Sequence, residues 1–398
     1  MARLNYDNLV RLCEAHGTDA GRSLIREQIK AKELTPQEFS FEALFEACFG
    51  VSTLRHCVRA GKLVNEVFME AEGATSTASF QQISGQIVYS LVMEAYQSED
   101  NVFSKLIPER QSPYTFEKVA GITPIGDEAT VVNEGDDFPL AGVGETFQHF
   151  AETQKRGFKV ALTREAVFFD RTGQLLDRAR DVGTWLGVNR EKRAIDCAID
   201  EGGGAVSAIN GGHRYHFRGN SIATYGNSSG NHNWDNLAAT NALVDWTDVD
   251  NVDQLFNEIT DPDTGEPIVI NPKHLWCAKS LEQTALRIRN ATEITVTTPG
   301  YATSGNPTET KVANPMGGKF DVITSRLFAQ RLGTDTSWFY GDLTKAFLYV
   351  VNWPMQVKQL ASGTQVEFDR DIVMQFRADE RGNYTTNNAR FAATSTVA

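Results

Sequence analysis

The pattern of apolar and polar positions predicts a long extended arm in the middle of the chain. Strand-like segments at residues 130–132, at Phe147 and at residues 158–162 flank an acidic, glycine-rich tip at residues 133–145. The arm carries too little apolar surface to form a core of its own. We therefore expect it to lie on another molecule.

A long helix is predicted directly after the arm. Thr163, Arg164 and Glu165 offer a cap with an acid in the first turn. Apolar residues then recur at roughly helical spacing, namely Leu175, Leu176, Ala179, Val182, Leu186, Ile195, Ala198 and Ile199. At about 1.5 Å per residue, the helix that carries these apolar positions would reach on the order of 40 Å. A reaching arm beside a long helix favours a subunit of an assembly over an enzyme active site.

Residues 1–74 are predicted to form a separate helical extension. Thr35 and Glu38 form a capping box, with proline at the first helical position. An apolar face follows at helical spacing, made of Phe41, Leu44, Phe45 and Phe49. Small residues at 71–79 indicate a linker, and residues 80–96 predict another amphipathic helix. We expect the chain to divide near residue 75.

The second half of the chain mixes helices and strands. Residues 201–236 are rich in Gly, Asn and Ser and are expected to form a long irregular surface loop. Helices are predicted at residues 250–259 and 278–289. Strands are predicted at residues 268–270, 321–325, 337–340, 346–351, 366–368 and 372–376. The expected fold class is α+β, with predominantly antiparallel pairing.

Composition narrows the function classes. With 398 residues, 41% of them hydrophobic, two or more well-buried lobes are expected. Lys and Arg total 38 against 51 for Asp and Glu, a net charge of −13 that disfavours a nucleic-acid-binding module. The five cysteines include no Cys-x-x-Cys pair, which indicates synthesis in a reducing cytosol. No run of about 18 apolar residues predicts a membrane span.

The sequence contains no coherent reaction centre. His213, His216 and His232 could hold a transition metal, but they lie in a glycine-rich stretch without a carboxylate or cysteine at ligand spacing. We expect them to be surface residues, and a metal-dependent hydrolase that uses them is the alternative from the enzyme class. Cys197 falls on the long-helix pattern and is expected to be a buried apolar residue. No catalytic, cofactor-binding or metal site is assigned.

The closing part of the chain carries further segments in a characteristic order. They are Trp338-Phe-Tyr-Gly-Asp342, Ala346-Phe-Leu-Tyr-Val350, the run from Phe368 to Gly382, and Ala389-Arg-Phe391. Together with the helical N-terminal part, the arm and the long helix, this succession resembles the major capsid protein of tailed bacteriophages with the Hong Kong 97 fold. The resemblance covers about residues 75–395, and the order of the segments is more specific than any one of them.

The resemblance implies a domain plan and a mode of assembly. Residues 75–124 would form the N-arm and first peripheral-domain elements, 125–165 the extended loop, 166–200 the spine helix of the peripheral domain, 201–345 the axial domain, and 346–398 the C-terminal peripheral strands and tail. Pentamers and hexamers would close an icosahedral shell around double-stranded DNA. The extended loop would bury four apolar residues on a neighbouring subunit, namely Phe138, Leu140, Val143 and Phe147.

The resemblance also bears on partners. Some relatives join subunits by a lysine–asparagine bond, but here no lysine lies between Lys118 and Lys155. We therefore expect non-covalent packing or a cement protein to hold the shell, with scaffold and portal proteins as further possible partners. The N-terminal extension is expected to be retained, and assembly is expected in the host bacterial cytoplasm. An encapsulin-type nanocompartment, which shares the fold but stores an enzyme cargo, is the main alternative.

Overall fold

The computed structural model describes most of the chain beyond residue 86. Apart from isolated positions, the described residues are 87–97, 101–115, 117–122, 145–163, 174–199, 215–217, 220–226, 234–260, 267–298, 308–360 and 372–396. The expected helical extension at residues 1–74, the expected linker at 71–79 and the expected strand at 366–368 lie outside this part of the chain.

Helices and strands alternate through the described residues. The helices are α1 (87–96), α2 (Phe103–Leu106), α3 (Gln174–Ala198), α4 (Trp246–Glu258), α5 (Glu282–Asn290), α6 (Arg326–Leu332) and α7 (Leu343–Ala346). The strands up to the middle of the chain are β1 (Glu109–Gln111), β2 (Lys118–Ile122), β3 (Glu145–His149), β4 (Gln154–Thr163), β5 (Tyr215–Phe217), β6 (Asn220–Ile222) and β7 (Leu237–Ala239). The later strands are β8 (His274–Ala278), β9 (Glu293–Thr298), β10 (Thr308–Ala313), β11 (Asp321–Ser325), β12 (Trp338–Gly341), β13 (Phe347–Leu360), β14 (Ile372–Thr386) and β15 (Ala392–Thr396).

The chain divides into two compact units. The first unit comprises Met1–Asn101, Lys155–Asn189 and Trp353–Arg381. The second comprises Val102–Gln154, Arg190–Asn352 and Gly382–Ala398. Both units are therefore discontinuous in sequence.

Close contact between α1 and α3 organises the first unit. Small residues recur on α3 at four-residue spacing, at Ala179, Gly183 and Gly187. A Cβ atom on Gly183 would lie 2.4 Å from the carbonyl oxygen of Val92, and one on Gly187 would lie 2.8 Å from that of Tyr96. The missing side chains thus let the two helix backbones approach directly.

Strands complete the core of the first unit, where β13, β14 and β4 lie side by side in that order. The apolar core is shared by α1, α3 and these strands, and consists of Val88, Val92, Tyr96, Ala179, Val182, Leu186, Met355, Phe376 and Ala378. The Tyr96 hydroxyl donates a 2.6 Å hydrogen bond to Oε2 of the buried Glu380. This bond gives the buried carboxylate a partner that offsets its loss of water.

A five-stranded sheet forms the centre of the second unit, in the order β11-β8-β12-β15-β7. The inner pairs β8–β12 and β12–β15 are antiparallel, whereas the outer pairs β8–β11 and β7–β15 are parallel. Elsewhere in the described residues, β9–β10 and β5–β6 are antiparallel and β1–β13 is parallel. The sheet is therefore mixed, with antiparallel pairs the more frequent across the described strands.

The two central strands are buried on both faces. Alternate side chains of β8 and β12 belong to separate apolar clusters, one containing Leu275, Cys277, Trp338 and Tyr340 and the other Trp276, Ala278 and Phe339. The rings of Trp276 and Phe339 stack with centroids 5.9 Å apart. Covering on both faces explains why these strands read as continuous apolar runs in the sequence.

Several expected elements are confirmed. The long helix is present as the 25 residues of α3, which correspond to about 37 Å. Cys197 is fully buried in it, as expected. The strand at residues 321–325 coincides with β11, and residues 158–162 fall within β4.

Other expectations are wrong. The predicted strand at residues 268–270 is not formed, and only an isolated bridge joins Thr260 to Pro267 there. Residues 201–236, expected to be irregular, contain β5 and β6. The helix predicted at residue 250 begins at Trp246, because Asp245 and Asp248 form a capping box. The helix predicted from residue 278 starts as a 3₁₀ turn at Lys279–Leu281 before α5.

Candidate assembly element

A two-stranded antiparallel ribbon, β2–β3, belongs to the second unit. Its register pairs Lys118 with His149 and Ile122 with Glu145. Backbone hydrogen bonds continue below the strands, from Phe150 N to Glu117 O at 2.9 Å. Residues 123–144, which contain most of the acidic and glycine-rich tip, connect the far ends of the ribbon. We call residues 112–117 its outbound leg and residues 150–153 its inbound leg.

The residues expected to contact a neighbour fall on or between the two strands in sequence. Phe147 lies in β3, in register with Ala120 of β2. Phe138, Leu140 and Val143 lie outside the described residues. The strand expected at Phe147 is therefore confirmed, and the contact role of the four residues stays a prediction.

The outbound leg is fixed to β13. Nδ2 of Asn352 donates to the carbonyl oxygens of Ser112 and Tyr114, both at 2.8 Å. The backbone N–H of Ser112 donates to the carbonyl of Val351 at 2.9 Å. Immediately before the leg, β1 pairs in parallel with residues 349–351. One side chain thus holds two points of the leg against the strand.

The inbound leg is fixed to β14. Nδ2 of Asn383 donates to the carbonyl of Glu152 at 3.0 Å, and the N–H of Ala151 donates to Oγ1 of Thr385 at 3.4 Å. Both Asn383 and Thr385 are buried. Oδ1 of Asn383 accepts the N–H of Tyr384 at 3.0 Å, which sets the orientation of the amide. The inbound leg therefore has its own polar attachment.

Arg110 joins the two legs. Its guanidinium lies 3.1 Å from Oε1 of Glu117 on the outbound side and 5.7 Å from the ring centroid of Phe150 on the inbound side. Phe150 is 2% exposed. Thr153 N donates to the carbonyl of Thr115 at 3.0 Å, a further link between the legs. The base of the ribbon is thus ordered by polar contacts around one buried ring.

Two buried acids on α3 were not expected from the sequence. Glu191 is 1% exposed and accepts the backbone N–H groups of Val102, Phe103 and Ser104 at 2.9–3.1 Å, so it caps α2 from another helix. Asp196, also buried, forms a bidentate pair with Arg331. Glu191 stands four residues before Ile195 on the apolar stripe, and that position was the available signal.

The described residues contain no cluster of metal-binding side chains. Within them there is no group of three or more His, Cys, Asp and Glu that could hold a metal. His216 lies in β5 opposite Ser221, whereas His213 and His232 lie outside the described residues. Burial raises the pKa of the Cys277 thiol to about 12, so this thiol is not a nucleophile at neutral pH.

His274 lies in β8 beside a buried carboxylate. Its Nδ1 accepts the N–H of Leu343 at 3.3 Å and lies 3.9 Å from Oδ1 of the buried Asp342. Burial lowers the pKa of His274 and outweighs the attraction of Asp342. The imidazole is therefore a neutral acceptor at the turn into α7.

Among the described helices, none is long and apolar enough to cross a membrane.

Comparison with known proteins gives one family match. The model of a family described as phage capsid protein matches residues 146–395, from β3 to β15. No curated protein matches the sequence.

Solved capsid structures are similar to the chain at low identity. The Cyanophage Pam1 capsid asymmetric unit is 9% identical over 75% of this chain and 92% of that chain, with a TM-score of 0.45. For Microbacterium phage Oxtober96 the identity is 12%, over 75% of this chain and 92% of that chain, with a TM-score of 0.42. The capsid of Cyanophage P-SCSP1u is 10% identical over 75% of this chain and 88% of that chain, with a TM-score of 0.44.

The recognition of a bacteriophage capsid protein, and of the mixed α+β class, is confirmed. The family match spans the ribbon strand β3, the long helix and both central strands of the sheet. Because it covers more than half of the chain, the protein belongs to the phage capsid protein family, as a major capsid protein whose copies self-associate into the shell of a virion.

Proposed function

We propose that the β2–β3 ribbon with residues 123–144, which overlaps the extended loop expected at residues 125–165, is the arm by which each subunit holds its neighbour in pentamers and hexamers of an icosahedral shell. Phe138, Leu140, Val143 and Phe147 are the residues we assign to this contact. The observation that carries the proposal is the double attachment of the ribbon, with one leg on β13 and the other on β14. Since β3 also lies beside β5 of the same unit, the part that we propose to reach a neighbour is the one beyond the ribbon strands.

Energetics support a partner for the arm. A two-stranded ribbon by itself is at best marginally stable in water. Each large apolar side chain that is buried on a neighbour contributes about 1.5–3 kcal/mol. Every subunit in a closed shell gives one arm and receives others, so modest contacts add up to a stable assembly.

The remaining domain plan is proposed on the same basis. Residues 1–74 are the N-terminal extension, 75–124 the N-arm and first peripheral-domain elements, 125–165 the extended loop, 166–200 the spine helix, 201–345 the axial domain and 346–398 the closing strands. The net charge of −13 suits a shell that encloses double-stranded DNA without binding its sequence. Assembly takes place in the host bacterial cytoplasm, with scaffold, portal and cement or decoration proteins as partners.

Electron microscopy and analytical ultracentrifugation of the purified protein test the proposal. The unchanged chain is expected to give closed particles of uniform diameter. The double variant Phe138→Ser, Leu140→Ser is expected to stay as small species with an unchanged melting temperature, because these side chains contribute to the neighbour's contact and not to the subunit's core.

A matched control keeps the test specific. Val269 is 80% exposed in the second unit, so Val269→Ser also replaces an apolar residue by serine, but away from the arm. This control should assemble like the unchanged chain. A wild-type protein that stays monomeric at high concentration, or a double variant that assembles normally, would contradict the proposal.

A further inference from the structure

The side chains of two asparagines on adjacent strands bind main-chain oxygens in the legs of the ribbon. Asn352 on β13 binds the carbonyls of Ser112 and Tyr114, and Asn383 on β14 binds the carbonyl of Glu152. Because the contacts are to main-chain oxygens, they fix where the legs run whatever side chains the legs carry.

The two attachments use different side chains on different strands. Asn352 holds the outbound leg and Asn383 the inbound leg, and 31 positions separate them in the sequence, counted from the residue numbers. Two separate fixed points define a direction, whereas a single one would allow the ribbon to pivot. The antiparallel ladder of β2–β3 holds the strands to each other but does not by itself fix their direction.

We propose that Asn352 and Asn383 are positioning residues that fix the direction in which the arm leaves the second unit, and that this direction sets the regularity of the shell. The inference rests on the proposed function, because it assigns a direction to the arm that makes the subunit contact.

The direction of the arm matters because a small rotation at its base displaces its far end by a larger distance. From Ile122 to the tip at Asn133 there are 11 residues, counted from the residue numbers, which span at most about 36 Å when extended. Over that length, a swing of about 10° at the base moves the tip by about 6 Å. Apolar side chains are in contact only within about 4.5 Å, so a swing of this size breaks the contact with the neighbour.

Isosteric variants separate the direction of the arm from its presence. Asn352→Asp and Asn383→Asp keep the shape of the side chain but replace the donating NH₂ by an oxygen that repels the carbonyls. Asn387→Asp is the matched control, because Nδ2 of Asn387 also donates to a backbone carbonyl, that of Lys345 at 3.1 Å, but holds neither leg. Asn352 and Asn387 are both half-buried, so these two variants are also matched in burial, whereas Asn383 is 1% exposed.

Hydrogen exchange on unassembled subunits is the first measurement. In both leg variants, amides of residues 112–122 and 145–153 should exchange about tenfold faster or more, whereas amides of β8 and β12 should keep their protection. Asn387→Asp should leave the ribbon unchanged. Unchanged exchange in the legs, or loss of protection throughout the second unit in the half-buried Asn352 variant, would overturn the inference.

Particle morphology is the second measurement, made side by side with the unchanged chain. The leg variants should give a mixture of closed shells, tubes and open sheets, and Asn387→Asp should give particles like the unchanged chain. Faster exchange in the legs together with uniform particles would overturn the link to regularity. If the unchanged chain does not assemble, the proposed function fails; if it assembles and the leg variants match it, only the positioning role fails.

Discussion

The five-stranded sheet and the β2–β3 ribbon belong to the same unit but are stabilised in different ways. Side chains of β8 and β12 are buried on both faces of the sheet, with Trp276, Trp338 and Phe339 fully enclosed. The ribbon has two strands, of which β3 also lies beside β5 of the same unit, and its base is held by hydrogen bonds, an ion pair and contacts with one buried ring. Apolar burial makes the sheet independent of partners, whereas polar contacts give the ribbon a direction.

This difference teaches where each kind of contact is useful. Burying a large apolar side chain contributes about 1.5–3 kcal/mol to folding stability. Because the interior is closely packed, small displacements of such a side chain are poorly tolerated. The net contribution of one hydrogen bond to folding stability is only about 0.5–1.5 kcal/mol, yet its strength depends strongly on the distance and angle between donor and acceptor. The sheet is thus suited to hold the unit together and the ribbon base to aim an arm.

The largest effect is expected when the sheet loses one of its central rings. Trp276→Ala removes the ring that stacks on Phe339 and leaves a cavity, so the free energy of unfolding should fall by about 3–5 kcal/mol. Denaturant unfolding measures it. Val269→Ala, at an 80% exposed side chain, should change it by less than about 0.5 kcal/mol. Equal effects of the two changes would break the comparison.

The next largest effect is expected at the end of β12. Gly341 has φ +155°, and a Cβ there would lie 2.2 Å from the carbonyl oxygen of Phe391. Gly341→Ala should therefore lower the free energy of unfolding by about 2–4 kcal/mol, from backbone strain and overpacking together. Gly333 isolates the strain, because its φ is +82° and a Cβ added to it would meet no atom within 4 Å. Gly333→Ala should cost about 1 kcal/mol, and both values come from thermal or denaturant unfolding.

A smaller effect, which depends on pH, is expected at His274. Burial lowers its pKa in the folded protein below the ordinary value of 6.5, so the unfolded chain binds the proton first as the pH falls. The stability from neutral His274 is fully present above pH 6.5 and is lost as the pH falls through that value toward the folded pKa. His274→Asn keeps an acceptor for Leu343 N–H and should flatten the decline in stability between about pH 7 and 5. An equally steep decline in the variant would contradict this assignment.

The smallest effect on global stability is expected at the ribbon. Arg110→Met removes the ion pair with Glu117 and the contact with the Phe150 ring, both of modest strength, so the free energy of unfolding should fall by less than about 1 kcal/mol. Hydrogen exchange of β2 should nevertheless accelerate. Arg377→Met, which removes an ion pair with Asp379 in the first unit, is the control and should leave β2 unchanged. A loss as large as that of Trp276→Ala would show that the ribbon belongs to the core.

The sequence predicted those elements whose pattern is local. The apolar stripe of α3, the short apolar run of β11 and the burial of Cys197 follow from side chains within a few turns or strand positions. The strands at Phe147 and at residues 158–162 follow from local pattern as well, but β4 lies beside β14 in the first unit and is not part of the ribbon, contrary to its expected place in the arm.

The sequence could not predict contacts between distant positions. Asn352 lies 240 positions from the Ser112 carbonyl that it binds, and Asn383 lies 231 positions from Glu152. Nothing local distinguishes these asparagines from those of a surface turn. Residues 268–270 show the opposite error: their apolar character suggested a strand, but a strand needs a continuous partner edge. In the described part of the chain no strand pairs with them, and the N–H of Ile268 donates to the carbonyl of Ile259 beside an isolated bridge.

The close approach of α1 and α3 has a mechanical consequence. Where Gly183 and Gly187 meet the backbone at Val92 and Tyr96, the main chains themselves are in contact, without flexible side chains between them. Bending such a pair requires one helix to slide along the other, and the interlocked backbones oppose sliding. The pair therefore resists bending as one rigid element of the first unit.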